Sequence, residues 1–295
     1  MFTLKIENAR GVTFELSHDT QNYIIAGVQG LTRPPAAINT TAGGGIDGTF
    51  YNSARLEQRN IVIDVILCGD IEGSRQRLYN IFPARSACTV YFKNKNRDVK
   101  IEGYVETLEG DLFQQQETMQ ISIICPRPYF EGLSAIYTEL SNSVRMLEFP
   151  FSIEVDEPIP ISEVQDAPSC IITNSGDTEA GAIFTVTIHA LIATGVTCCT
   201  GFVIYNNSTG EHIGITYSFT SGDRVTICTK AGQLSAVLEK ATGGTVSVLR
   251  YLSSGSKWIK LQPGENELTM TRTSLYGDTV QVNIEVEMAE LFGGV

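Results

Sequence analysis

Strict two-residue alternation of apolar and polar side chains is the feature that most constrains this chain of 295 residues. From Val280 to Met288, every second residue is aliphatic or Met, and every residue between is Gln, Asn or Glu. Successive side chains of a β-strand point to opposite faces, so this pattern predicts a strand with one buried face. The same alternation over residues 99–105 predicts another strand. The chain is therefore predicted to be mainly β.

The first half of the chain is predicted to be one strand-rich domain. Apolar runs at residues 61–68, 90–92 and 119–123 predict three further strands. Pro126 and Pro128 follow the last of them, and two prolines do not fit inside a central strand. The domain is therefore predicted to end shortly after these prolines.

One helix is predicted in this domain. Its apolar stripe consists of Ile71, Leu78, Ile81 and Phe82, which recur at helical spacing. Asp70 or Ser74 can serve as the N-cap, and Pro83 ends the helical pattern. The first domain is thus predicted to carry a single helix packed on its strands.

The second half is predicted to be an all-β sandwich. Its alternating runs lie at residues 184–188, 213–219, 225–227, 246–248 and 280–288. Glycine-bearing turns recur between them, and short strands with such turns are typical of sandwiches. The predicted division is 1–132 for the first domain, 133–169 for an extended proline-bearing connection, and 170–295 for the sandwich.

Charge excludes one class of function and separates the two halves. The net charge of −12 and the pI of about 4.8 oppose binding to nucleic-acid phosphates. Residues 1–130 hold thirteen basic and fourteen acidic side chains, whereas residues 131–295 hold eight and nineteen. No apolar run approaches the roughly 18 residues of a membrane helix, so membrane insertion is not expected.

Motifs for catalysis, cofactors and metals are weak. Residues 43–48 match G-x-G-x-x-G formally, but that motif binds dinucleotides only between a buried strand and a helix, and here a strand-like segment follows it. His18, His189 and His212 lie in separate contexts without a second ligand at a useful spacing. No catalytic, cofactor or metal residue is predicted, and we expect the chain not to be an enzyme.

Cysteines and one basic cluster have ordinary explanations. The seven cysteines contain no C-x-x-C pair, which argues against a disulfide framework and a structural zinc site. The basic cluster consists of Lys93, Lys95, Arg97 and Lys100, at a predicted hairpin tip. A solvated turn explains that cluster better than a phosphate contact does.

Aromatic side chains in the second half keep carbohydrate binding open. Tyr205, Tyr217 and Tyr276 are candidates for stacking on sugar rings, as sandwich proteins of the lectin class do. Trp258 is a further candidate, and the alternative for it is a core position, since Ile259 and Leu261 follow. A carbohydrate-binding module is the alternative function.

The order of several segments resembles a known family. In the first half the segments are residues 23–31, the glycine-rich stretch, Gly48-Thr49-Phe50, Arg59-Asn60-Ile61-Val62-Ile63 and Pro126-Arg127-Pro128-Tyr129-Phe130. In the second half they are Asn174-Ser175-Gly176-Asp177, Asn206-Asn207-Ser208-Thr209-Gly210 and Trp258-Ile259-Lys260-Leu261 with Pro263-Gly264-Glu265-Asn266. Over nearly the whole chain this succession is similar to the phage distal tail protein family (Dit, the siphovirus-type tail component).

The resemblance implies a structural role. It implies an N-terminal split β-barrel with one helix, related to tail-tube subunits, and a galectin-like or carbohydrate-module-like sandwich outside it. The implied assembly is a homohexameric ring at the distal end of the tail in the virion, after synthesis in the host cytoplasm. The implied partners are the tail tube protein and the tail-tip hub protein, with the tape measure and receptor-binding proteins as further candidates.

The glycine-rich segment at residues 38–54 is the predicted contact between subunits. It is longer than a hairpin needs, and long loops in compact domains are usually functional or disordered. We expect it to be mobile in the isolated subunit and ordered in the assembly. Its candidate contact residues are Ile38, Thr40, Gly44, Asp47 and Phe50.

Overall fold

The structure consists of two compact units. It is a computed structural model, and the residues it describes are 2–16, 22–45, 47–111, 116–141, 143–145, 162–164, 168–190 and 195–295. The first unit contains Met1–Leu133 together with Leu291–Val295, and the second contains Ser134–Glu290.

The described residues of the first unit form one helix and a set of antiparallel strands. The helix is α1 (Ile71–Ile81). The strands are β1 (Thr3–Asn8), β2 (Thr13–Leu16), β3 (Tyr23–Gln29), β4 (Ala36–Ala42), β5 (Thr49–Leu56), β6 (Arg59–Leu67), β7 (Ala87–Lys93), β8 (Asp98–Asp111), β9 (Thr118–Cys125), β10 (Phe130–Gly132) and, from the end of the chain, β25 (Leu291–Phe292).

Nine of these strands form one sheet. Its main path runs β2-β1-β7-β8-β9-β6-β3, and β10 joins it by pairing with both β8 and β25. Buried aromatic rings fill the space beneath the sheet, with Phe14 edge-to-face against Phe82 at 5.5 Å and against Tyr23 at 5.0 Å between ring centroids. Strands β4 and β5 pair with each other in a separate two-stranded sheet.

The predicted helix is confirmed, with one difference in its buried face. Asp70 is the N-cap, and its carboxylate accepts a hydrogen bond of 3.0 Å from the backbone N–H of Gly73. Leu78 and Ile81 are buried, whereas Ile71 is exposed because it occupies the first turn.

The second unit is built from two larger sheets. Its strands are β11 (Ile136–Ser141), β12 (Ser143–Arg145), β13 (Ser162–Val164), β14 (Ser169–Asn174), β15 (Ala180–Ala190), β16 (Thr197–Asn206), β17 (Glu211–Ile215), β18 (Phe219–Thr220), β19 (Arg224–Cys228), β20 (Ser235–Glu239), β21 (Thr245–Ser247), β22 (Lys260–Leu261), β23 (Gly264–Ser274) and β24 (Val280–Met288). One sheet runs β11-β24-β15-β19-β20-β21 with β22 on β15, and the other runs β14-β23-β16-β17 with β18 on β16. Short 3₁₀ helices lie at Leu249–Tyr251 and Gly277–Thr279.

Mostly β structure with one α-helix, as predicted, is confirmed in the described residues. The galectin-like packing of the two sheets and the split barrel stay predictions. The run predicted at 213–219 divides into β17 and β18, because the chain leaves the sheet after Ile215. No helix among the described residues is long and apolar enough to cross a membrane.

The structure divides the chain differently from the prediction at two places. Ile136–Ser141, placed in the connection by the sequence, is a strand that pairs along β24, from Ile136 opposite Met288 to Ser141 opposite Asn283. Residues 146–161 of that predicted connection lie outside the described residues. Leu291–Val295, assigned to the second domain, belongs to the first unit because β25 pairs with β10 there.

Candidate functional site

An exposed hairpin is the candidate functional site of the first unit. Strands β4 and β5 are joined by residues 43–48, where Gly45 and Gly48 adopt φ of +76° and +98°. Only glycine adopts such angles readily, so the tip needs these residues. On either side, Thr, Phe and Tyr residues have high β-propensity, which explains why the flanking segments form strands.

A closed base and an irregular middle define the shape of the hairpin. The backbone N–H of Glu57 donates to the carbonyl of Pro35 over 3.1 Å, next to the last strand pair. Between Asn39 and Thr40 the register shifts, which leaves Asn52 as an extra residue on β5. A bulge of this kind bends a strand and increases its twist.

Side chains of the hairpin are turned to solvent. Every residue of β5 is exposed, and the exposed fractions of Ile38, Phe50 and Tyr51 are 64%, 61% and 67%. A two-stranded hairpin alone is marginally stable in water, and unpaired strand edges with apolar side chains invite pairing with another chain. The hairpin therefore has the properties of a surface that becomes covered in an assembly.

All five residues predicted for the subunit contact lie in this hairpin. Ile38 and Thr40 are in β4, Phe50 is in β5, and Gly44 and Asp47 are in the tip. The prediction of a loop over 38–54 is wrong, because strand pairing satisfies the backbone on both sides of a short tip.

Sequence reasoning also missed part of the hairpin's apolar surface. In the cross-strand register, Ala36 lies opposite Leu56 and Ile38 lies opposite Ala54. Directly opposed residues share one face of a hairpin, so these four side chains form a continuous apolar strip. The alternation of small apolar and polar residues before Leu56 was the available signal.

The structure keeps the three candidate tyrosines in separate surroundings. Tyr205 is half-buried beside His212, with ring centroids 5.6 Å apart. Tyr217 is packed edge-on against Tyr251 at 4.9 Å. Tyr276, 46% exposed, lies before the 3₁₀ helix at Gly277–Thr279. The described contacts join no two of these rings.

Three asparagines in the family-like motifs of the second half are buried, and their side chains stabilise turns. Asn174, Asn206 and Asn266 are each at most 1% exposed. The side-chain N–H of Asn206 donates to the side-chain oxygen of Asn266 over 3.2 Å, and Asn266 donates to the carbonyls of Gln262 and Gly264. These contacts hold the turns between strands, which gives the motifs a structural role.

Polar and ionisable candidates are dispersed in the same way. His189 is exposed on β15, His212 is half-buried, and His18 lies outside the described residues. Across those residues, no three His, Cys, Asp or Glu side chains are grouped to hold a metal ion. In the basic cluster, Lys93 pairs with Asp98 at 2.8 Å, as expected for a solvated turn, whereas Arg97 is half-buried.

Two buried thiols of the first unit are held in their protonated form. Cys88 and Cys125 are both buried, and burial raises the pKa of Cys88 to about 11 and that of Cys125 to about 12. The thiolate is the reactive form of cysteine, so these two residues are unsuited to nucleophilic chemistry. All seven cysteines are free.

A cleft on the outer face of β1, β7 and β8 has a volume of about 470 Å³. Tyr91 lines it and donates from its hydroxyl to Glu7 over 3.3 Å. Burial, followed by the charge of Glu7, raises the pKa of Tyr91 above its ordinary value. The other lining side chains include Lys100, Tyr104 and Glu131, which make the cleft a polar surface groove.

Two known protein families match successive parts of the chain. The phage tail protein RIFT-related domain matches residues 9–125, and the C-terminal domain of the siphovirus-type tail component matches residues 175–285. Together the two matches cover most of both structural units. No curated protein sequence matches the chain.

Solved structures of phage proteins are similar over the full length. The crystal structure of SPP1 Dit (gp 19.1), described as a paradigm of the hub adsorption apparatus in phages infecting Gram-positive bacteria, matches with a TM-score of 0.65 at 15% identity and covers 99% of each chain. A chain of the phage P2 baseplate in its activated conformation with Ca gives a TM-score of 0.45 at 10% identity, covering 97% and 98%. The likeness to SPP1 Dit shows a shared fold.

Proposed function

The chain belongs to the siphovirus-type tail component family and is a structural protein of the phage tail, and from this premise we propose that it forms a homohexameric ring. The ring would join the tail tube to the tail-tip hub at the distal end of the tail. Its proposed neighbours are the tail tube protein and the hub protein, with the tape measure and receptor-binding proteins as further contacts. Synthesis would take place in the host cytoplasm before incorporation into the virion.

The exposed hairpin is the observation that carries this proposal. Copies in a ring meet through a heterologous interface, in which one surface of a copy contacts a different surface of the next. A projecting element with open strand edges and the apolar strip of Ile38 and Leu56 is suited to such a contact. We expect the hairpin to be mobile in the isolated chain and ordered against a neighbouring copy or the tube protein.

Charge supports an unequal role for the two units. The first unit contains thirteen basic and fifteen acidic side chains, a net of −2, and the second contains eight and eighteen, a net of −10. Like charges brought together at an interface oppose assembly, and the penalty grows as water is excluded. The first unit is therefore proposed to build the ring, and the second to lie at its periphery, where salt screens charge within about 8–10 Å.

No catalytic activity is proposed for the chain. Burial holds the thiols of Cys88 and Cys125 in the protonated form. None of the sequence motifs places a nucleophilic side chain beside a general base. Hydrolysis of a cell-wall or glycan substrate that a point substitution abolishes would overturn this expectation.

The experiment is native mass spectrometry of the purified full chain and of two matched variants. Ile38→Arg places a charge on the hairpin, and Ile171→Arg places one at a similarly exposed position, since the two side chains are 64% and 61% exposed. We expect a hexamer for the parent chain and for Ile171→Arg, and monomers for Ile38→Arg. Hexamers of all three chains would show that the hairpin is not part of the interface between copies.

The carbohydrate-binding alternative gives a different result in the same experiment. A free-standing lectin would be a monomer or dimer, and residues 134–290 alone would bind a glycan array. Loss of that binding on Tyr276→Ala or Tyr205→Ala would favour the alternative.

A further inference from the structure

Arg59 is buried at the root of the exposed hairpin. It is 1% exposed and is the first residue of β6, three positions after β5 ends. Within the part of the chain that the structure describes, its guanidinium donates to four backbone carbonyl oxygens. They belong to Gly30, Thr32, Pro128 and Gly293.

These four carbonyls come from three separate parts of the first unit. Gly30 and Thr32 precede the hairpin, whereas Arg59 follows it, so this one side chain joins both ends of the hairpin root. Pro128, at 2.9 Å from Nε, lies between β9 and β10. Gly293, at 2.6 Å from Nη2, lies in Leu291–Val295, which we call the C-terminal strap.

The C-terminal strap also contacts the hairpin root directly. The backbone N–H of Val295 donates to the carbonyl of Leu31 over 3.1 Å. Arg97 holds the strap from the other side, because its guanidinium donates to the carbonyl of Gly294 and lies 4.6 Å from the ring centroid of Phe292. The segment that follows the second unit is thus fastened beside residues 30–32.

Because the guanidinium of Arg59 is buried, its N–H groups need these four carbonyl acceptors in place of water. Taking a charge out of water is costly, and removing one partner of a buried charge leaves it uncompensated. The guanidinium of Arg59 also lies 4.5 Å from the ring centroid of Phe130, where the aromatic face attracts the cation. A lysine carries one ammonium group in place of the planar fork and cannot reach all four carbonyls together.

We propose that Arg59 and the C-terminal strap are positioning elements that set the direction in which the hairpin projects. The hairpin makes its own strand pairs, but its root is oriented by the carbonyls that converge on Arg59. The segment leaving the second unit consequently helps to orient the proposed assembly surface of the first. The role of Arg59 and the strap in assembly rests on the proposed ring. Their role in orienting the hairpin root does not depend on it.

The test compares hydrogen exchange in the parent chain and three variants, all kept monomeric by dilution. Arg59→Lys removes the fork, and a chain ended at Glu290 removes the strap while leaving Arg59 in place. Arg75→Lys is the matched control, because Arg75 makes a half-buried ion pair of 3.0 Å with Glu117 away from the root. Exchange is followed for residues 30–35 and 57–61, and for β1 and β2 as a reference, because these two strands pair with neither β10 nor β25.

We expect exchange at the root to accelerate about tenfold in Arg59→Lys and in the truncated chain, with β1 and β2 unchanged. Arg75→Lys should leave the root as in the parent. Unchanged root exchange in both root variants, or an equal acceleration throughout the first unit, would overturn the proposal.

Oligomeric mass then separates this proposal from the ring itself. If the parent chain is a hexamer, Arg59→Lys should shift it towards monomers at a concentration where Arg75→Lys remains hexameric. A hexamer as stable as the parent, despite a loosened root, would overturn the positioning role. A monomeric parent with a loosened root in the variants would contradict the ring and leave the root contact established.

Discussion

The carbonyl of Gly293 accepts a hydrogen bond of 2.6 Å from Arg59, although 234 positions separate the two residues in the sequence. The chain leaves the first unit after Leu133 and returns to it at Leu291. The second unit is thus an insertion in the first, to which Leu291–Val295 also belong.

The insertion topology predicts that the second unit can be excised. Glu131 lies opposite Leu291 in the β10–β25 pair, and neighbouring strands are about 4.8 Å apart. A short glycine linker replacing residues 134–290 should therefore leave the first unit folded and in the oligomeric state of the parent. Size-exclusion chromatography with light scattering measures this.

Residues 134–290 expressed alone provide the complementary sample. We expect them to fold as a monomer, because the proposed ring surface lies in the first unit. A hexamer from this fragment, with a monomer from the excised first unit, would reverse the assignment.

A glycine at the hairpin root is predicted to be indispensable. A Cβ on Gly30 would lie 1.9 Å from the carbonyl oxygen of Asn60, at a φ of +82°. Gly11 has a similar φ of +75° but open space around it. Gly11→Ala should lower the free energy of unfolding by about 1 kcal/mol and Gly30→Ala by about 3 kcal/mol or more. Urea denaturation compares the two, and equal losses would mean that the close approach costs nothing.

Buried asparagines of the second unit should matter far more than their exposed neighbour. Asn266→Ala removes hydrogen bonds to Gln262 and Gly264 and leaves Asn206 without one of its acceptors. We expect a loss of about 3 kcal/mol in the free energy of unfolding. Asn207→Ala, at an exposed position next to Asn206, should cost less than about 0.5 kcal/mol. Thermal unfolding monitored by circular dichroism tests this difference.

The buried thiols predict a loss of stability at alkaline pH. Burial raises the pKa of Cys88 from 9.0 to about 11 and that of Cys125 from 9.0 to about 12. The folded state therefore retains protons that the unfolded state releases, and this contribution is complete below pH 9 and falls as the pH rises towards 11–12. Double replacement with Cys88→Ala and Cys125→Val should flatten the fall, as measured by urea denaturation between pH 8 and about 10.5.

Alkylation tests the burial of the same two thiols in an independent way. At pH 8, iodoacetamide should modify half-buried Cys68 before Cys88 or Cys125, because the latter are buried and protonated. Rapid modification of Cys125 in the folded chain would contradict the burial on which this prediction depends.

Local patterns in the sequence were sufficient for most individual elements. The alternation from Val280 to Met288 predicts a strand with the same bounds as β24, and its alternate residues are buried. Asp70 with the following apolar spacing likewise predicts α1. Both signals arise from interactions between residues close in sequence, which is why periodicity and capping reveal them. The order of the motifs also identified the family.

Only the tertiary structure decided which distant segments belong together. The sequence placed residues 291–295 with the second domain, because nothing in five residues shows that Leu291 pairs with Glu131. It predicted a loop where β4 and β5 form a hairpin, because the glycines at the tip obscured the pairing on either side. Arg59 carried no sequence signal as a buried residue, since its hydrogen-bond acceptors are backbone carbonyls, which every residue possesses. Such contacts depend on how the chain returns to itself in space, and local side-chain patterns do not encode that return.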